Sequence, residues 1–159
     1  MEQKEKISAE AAIEIFEHLE EIERRVAWFY ELCSQQFPQD ESLWKEISHD
    51  EIRHAHMIQE MKNRLSGQKS IEVSSKLRLP VLKTFVHGID EQIRRLESGG
   101  LPRKNAFFIA RDLENTLFER RFHEAFSVDD PGFSDLIAKF RAETDRHYRV
   151  LEDYIKNNL

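Results

Sequence analysis

Cysteine is almost absent: Cys33 stands alone among 159 residues. A single thiol excludes an internal disulfide framework, a four-cysteine zinc site and a rubredoxin-type iron centre. Glycine and proline are scarce too, five and four residues, so the few breaks they mark are informative. No apolar run approaches the roughly 20 residues of a membrane span. The opening Met-Glu-Gln-Lys-Glu-Lys lacks the apolar stretch of a secretory signal. Basic excess is also missing. The net charge is −6 with acids and bases interleaved, which argues against a nucleic-acid or anionic-membrane surface. What is there, 40% hydrophobic and 34% charged residues, reads as a cytoplasmic protein with a single domain over residues 1–159, long enough to bury a core.

Pro38, Gly67, Pro80, Gly99-Gly100 with Pro102, and Pro131-Gly132 divide the chain. Between them the apolar spacing predicts four long helices, over about Ser8 to Phe37, Asp40 to Leu65, Arg103 to Phe126 and Phe133 to Asn157. Ser8 is placed to cap the first, with Glu10 in its acid-favouring first turn. The long middle stretch opens with a polar segment in which only Ile71-Glu72-Val73 hints at extended structure. A shorter helix follows on the 3/4 spacing of Leu82, Phe85, Val86, Ile89, Ile93 and Leu96, with Pro80 in its first turn and Gly88 inside it. No alternating run merits assignment as a strand. Short loops after the first and third long helices make two antiparallel hairpins, and the long segment lets them pack side by side. The expected fold is all-α, an antiparallel four-helix bundle with a long crossover containing a short extra helix.

Each long helix carries polar residues in the middle of its apolar face. Phe16, Leu19, Val26, Ala27 and Tyr30 surround Glu23 at helical spacing. Trp44, Ile47, Ala55 and Ile58 surround Glu51, with His54 on the same stripe. Phe107, Ala110, Leu117 and Phe118 frame Glu114, and Ile137, Phe140, Leu151 and Tyr154 frame Thr144 and His147. Burying one unpaired carboxylate costs several kcal/mol. Three carboxylates and two imidazoles at matching depths therefore point to a cation that neutralises them, and the mixed oxygen and nitrogen set suits iron or manganese. Glu23 and His54 are 31 residues apart and Glu114 and His147 are 33 apart, so the hairpins read as diverged copies of one unit.

This constellation resembles the ferritin-like di-iron carboxylate superfamily, most closely its rubrerythrin branch. Glu23-Arg-Arg-Val-Ala-Trp-Phe-Tyr30 is similar to that family's first-helix ligand segment, and Asp50-Glu51-Ile52-Arg53-His54 to its Glu-x-x-His helix. The resemblance implies a ferritin-like fold and two irons per chain. Glu23 and Glu114 would be terminal carboxylates, Glu51 a bridging one, and His54 and His147 imidazole ligands. Tyr30 and Thr144 would stand just behind them. The implied chemistry is oxidation of Fe(II), or reduction of peroxide or dioxygen, with manganese or a single metal as variants.

Three departures bear on that expectation. Where the family has a fourth-helix Glu this chain has Thr144, so three carboxylates face two divalent ions and leave one positive charge uncompensated. Glu143, four residues before His147, is the candidate substitute ligand. The place of a second third-helix Glu is taken by Leu117. The family's rubredoxin-like tail has no counterpart here, so redox turnover would need an external electron donor. In the metal-free alternative, a non-catalytic bundle with a degenerate site acts as a structural or interaction module, and Arg111 or Arg121 pairs with the buried acids.

The other candidates read as ordinary structure. His49 and His56 share a polar face, His87 and His123 have polar neighbours, and His18 lies at a stripe edge. Cys33 reads as a small core residue, and Trp28 and Trp44 as packing or homodimer contacts.

Overall fold

The computed structural model describes residues 3–116, 119 and 121–159. Among these residues five α-helices and a small sheet run in the order β1 (Lys4–Ile7), α1 (Ala9–Gln36), α2 (Glu41–Asn63), β2 (Ile71–Ser74), α3 (Leu79–Glu97), α4 (Arg103–Glu114), β3 (Phe126–Val128) and α5 (Pro131–Asn158). Ser8 caps α1 as its position predicts, its hydroxyl accepting from the Ala11 amide at 3.1 Å. Asp130 caps α5 through the Phe133 amide at 2.8 Å, with Pro131 in the first turn where its missing N–H costs nothing.

A tight turn at Pro38–Asp40 folds α2 back along α1, and these two helices make the most extensive packing in the molecule. The crossover helix α3 lies against α1, tied there by an Arg25–Asp90 ion pair. Helix α5 packs against α4 and α2. Buried side chains from all five helices and from the sheet form one continuous core, with Trp44, Tyr30, Phe16 and Phe107 among its largest members. Among the described residues no helix is long and apolar enough to cross a membrane.

Two sequence expectations need correction. Where no strand was expected, β1, β2 and β3 form an antiparallel sheet with β2 in the centre; Ile71 pairs with Ile7 on one side and Val128 on the other. Strands of three or four residues are too short to establish an alternating pattern, and the hint at Ile71-Glu72-Val73 was its only visible member.

The third long helix, expected to reach Phe126, stops at Glu114. Asn115 and Thr116 follow, residues whose side chains compete for backbone partners. The Thr116 hydroxyl donates to the Leu113 carbonyl at 2.8 Å, and the Arg121 amide returns to the Thr116 carbonyl at 3.4 Å. The expected short loop is therefore a longer connection, anchored by Phe122 against Phe16, Phe126 and Phe140. Leu117 and Phe118, expected on the apolar stripe and at the missing second Glu, lie outside the described residues.

Candidate metal centre

Glu23 on α1, Glu51 and His54 on α2, Glu114 at the end of α4, and His147 on α5 are all buried, at most 1% exposed. Glu51 is the meeting point. Its Oε1 lies 3.3 Å from His147 Nδ1 and 3.6 Å from His54 Nδ1. His54 Nδ1 is also 4.0 Å from Glu23 Oε2, and His147 Nδ1 is 3.8 Å from Glu114 Oε2. The two imidazole rings lie 5.0 Å apart between centroids. All five residues expected from the apolar faces thus lie in one buried cluster, with Glu114 at its edge beside His147 and in neither potential ligand group.

Two further acids belong to the cluster that the sequence reading did not select. Glu119, in the connection after α4, is 1% exposed and joins Glu23, Glu51 and His54 in one potential ligand group. Glu51, His54 and His147 make a second group, sharing Glu51 and His54 with the first. Within each group one ligand atom per residue lies within 4.8 Å of every other.

The other unforeseen acid is Asp50, whose Oδ2 accepts from His147 Nε2 at 2.6 Å. Arg146 and Arg53 each approach Asp50 to 2.9 Å. A matching arrangement holds the other ring, since His54 Nε2 donates to Glu143 Oε2 at 3.1 Å and Arg53 stands 3.2 Å from that oxygen. Both rings therefore turn Nδ1 toward the acids and Nε2 toward an outer carboxylate. Glu143, half-buried, sits behind His54 on the side away from Glu51.

Tyr30 donates its hydroxyl to Glu114 Oε1 at 2.8 Å. Thr144 is buried, but its hydroxyl donates to the Arg141 carbonyl of its own helix at 3.1 Å. Arg111 pairs instead with Glu152 at 3.6 Å, and Arg121 with Glu124 at 3.1 Å. Among the described residues no lysine or arginine pairs with Glu23, Glu51, Glu114 or Glu119. Of the remaining histidines, His49, His56 and His87 are exposed and His18 and His123 half-buried. Cys33 is a buried core residue, with its thiol pKa raised by burial.

Burial of so many acids forces protons onto them. Burial, and then the charges of Glu119 and Glu51, hold Glu23 well above the usual carboxylate range. Glu119 is raised likewise by burial and by Glu51 and Glu114. Burial and the Glu51 charge lift Glu114 to about 7. Glu51 goes the other way: burial opposes its ionisation, but protonated Glu23 and the two imidazoles outweigh that and keep it a carboxylate. Burial would also strip the imidazoles of their protons. The Glu51 charge and the Glu143 bond instead raise His54 to about 10, and the Asp50 bond with Glu114 and Glu51 raises His147 to about 12.

These contacts do not satisfy the cluster. With these acids ionised, Glu23 Oε2, Glu51 Oε2, Glu114 Oε2, both oxygens of Glu119 and His54 Nδ1 are buried with no hydrogen-bond partner, and only proton sharing among Glu23, Glu51 and Glu119 relieves part of that deficit. Orphaned buried polar atoms are rare in folded proteins because each forfeits its hydration. Carboxylate oxygens and an imidazole nitrogen orphaned together are the donor set of a hard or borderline divalent cation, so the residues present fit a metal. Comparison with family models, curated proteins and solved structures finds no match to this chain.

Proposed function

We propose that this cluster holds a dinuclear non-haem metal centre, with iron as the favoured metal and manganese as the alternative. The observation that carries the proposal is the set of unpartnered donors on Glu23, Glu51, Glu114, Glu119 and His54. Glu51 and His54 both belong to the two potential ligand groups, but only the carboxylate has two oxygens to offer two ions, whereas His54 faces the acids through Nδ1 alone, which supports a bridging role for Glu51. Glu119 supplies what Thr144 does not: with Glu23, Glu51 and Glu114 it makes four carboxylates, matching the charge of a pair of divalent ions. Glu143, behind His54, orients that ring in this scheme rather than serving as a ligand.

The fold would then be a variant of the ferritin-like, rubrerythrin-type bundle with its third long helix broken after Glu114. Iron bound here would supply electrons for the reduction of dioxygen or peroxide. The chain's own part is preparation. Asp50 and Glu143 fix the rings through their Nε2–H groups, so that Nδ1 is the atom offered to the metal. Tyr30, held protonated by burial and by the Glu114 charge, steadies one oxygen of Glu114. Glu23 and Glu119 would surrender their protons as metal enters, and the imidazoles theirs at Nδ1. Repeated turnover would draw on an external electron donor. Trp28, 49% exposed on α1, supports a self-association surface.

A structural reading without metal has one observation in its favour: the imidazole–carboxylate contacts already neutralise part of the cluster. Thermal unfolding separates the two. Chelator-treated protein should be stabilised by Fe(II) under anaerobic conditions or by Mn(II), by about 2.7 kcal/mol at a hundredfold excess over Kd. Glu51→Gln should abolish the shift. If wild-type protein melts at the same temperature with and without metal, the helical-module reading replaces the metal centre.

A further inference from the structure

A cavity of about 380 Å³ opens between α1, α3 and α4, with no residue of the acid cluster in its lining. Phe29, Ile89, Ile109 and Leu113 supply its apolar walls, and Phe85 and Gly88 its α3 side. Its mouth is open to solvent, with Thr84 and Gly88 exposed at the rim, and pockets that hold small molecules begin at roughly 300 Å³.

Gly88 is the one lining residue without a side chain. It lies in the middle of a 19-residue helix with no positive φ to require glycine, and glycine weakens a helix interior. A side chain there would meet nothing within 4 Å. Position 88 shares a helix face with Thr84 and Gln92, four residues either side, and both line the cavity. Gly88 itself lines the cavity, so a larger side chain turned inward there would occupy space that is now open.

The lining also fixes the chemistry of an occupant. No lining residue is ionisable. The Thr84 hydroxyl donates to the Pro80 carbonyl at 2.9 Å and so keeps only acceptor capacity. The Gln92 amide oxygen accepts from Arg95 at 3.0 Å, which leaves its NH2 group to donate. A charged ligand would be desolvated without a partner. An uncharged one could bury its apolar body and place one hydroxyl or carbonyl against Thr84 or Gln92. We propose that this cavity is a binding site for a small, uncharged aliphatic or aromatic molecule, kept open by Gly88. The proposal stands independently of the metal centre.

Fluorescence titration of the full chain with N-phenylnaphthylamine tests it, with anilinonaphthalene sulfonate as the charged probe of the same skeleton. The neutral probe should bind saturably at one site per chain and at least tenfold more tightly than the sulfonate. Gly88→Leu should weaken the neutral probe at least tenfold while raising the melting temperature. Ile109→Trp, which fills the cavity from α4, should weaken it comparably and keeps the test open if Gly88→Leu misfolds. Equal binding by either folded variant, preference for the sulfonate, or absence of saturable binding overturns the proposal. So does affinity that falls as protein concentration rises, because that would mean a second copy of the chain covers the cavity.

Discussion

The imidazole of His147 rests its Nε2 on Asp50 Oδ2 at 2.6 Å. Asp50 adjoins Glu51, so consecutive residues of α2 address opposite edges of one ring from α5: the outer acid takes Nε2–H, and the inner acid faces Nδ1 at 3.3 Å. A ring held this way has its orientation set before metal arrives, and it keeps its Nε2 proton when metal displaces the one at Nδ1.

Asp50→Asn should therefore weaken metal binding by about 10- to 100-fold without unfolding the protein. Competition against a chromophoric chelator would measure the loss. Unchanged affinity in a variant with native circular dichroism would remove Asp50 from the metal site.

Glu119 should matter for stoichiometry. Its side chain reaches the cluster from the connection that follows α4 and meets Glu23, Glu51 and His54, but it is absent from the group containing His147. Glu119→Gln should reduce the bound metal from about two ions per chain to about one. It should also raise the melting temperature of metal-free protein at neutral pH, since folding then no longer has to force a proton onto a buried carboxyl. Metal analysis together with calorimetry would show both effects.

Metal-free protein should lose stability as pH rises. Glu114 ionises at 4.5 when unfolded and only at about 7 when folded, so its stabilising contribution is complete below the first value and gone above the second. His54 acts in the same direction, from 6.5 toward about 10. The lowered pKa of Asp50 works oppositely but only in acid, below its ordinary 3.8. With chelator present, the melting temperature should fall between about pH 5 and about pH 9. Metal affinity should rise over the same range because binding displaces these protons. A chelated protein that grows more stable with pH would contradict the protonation pattern.

Away from the cluster, Asp40 ties three elements together. Its carboxylate accepts from Arg103 at 2.6 and 2.8 Å and from the Tyr154 hydroxyl at 2.6 Å, joining the α1–α2 turn to α4 and α5. Asp40→Ala should cost about 2–3 kcal/mol, the scale of lost charge-assisted hydrogen bonds. Urea denaturation would measure it. Metal binding should be unaffected.

Much of this architecture was legible because it rests on helical periodicity. Glu23, Glu51, His54, Glu114 and His147 were found as polar interruptions of apolar faces, and burial at those positions follows the same spacing. Asp50 is equally legible, three residues after Ile47 and four before His54, though its place beside Glu51 hides it. Glu119 was not accessible in that way. On a continuous helix it would lie roughly 140° from Glu114, on another face. Only the break at Asn115 and Thr116 turns it inward, and no periodicity encodes a break that side-chain hydrogen bonds and the packing of Phe122 create. The three strands were hidden for a related reason, because each gains its stability from pairing with segments distant in sequence.

Elemental analysis of protein loaded anaerobically with Fe(II), then passed through a desalting column, tests the metal centre most directly. About two irons should remain bound per chain in the wild type and essentially none in a Glu51→Gln, His54→Ala double variant. Iron-free wild-type protein after this treatment, with the same result for manganese, would contradict the proposed centre.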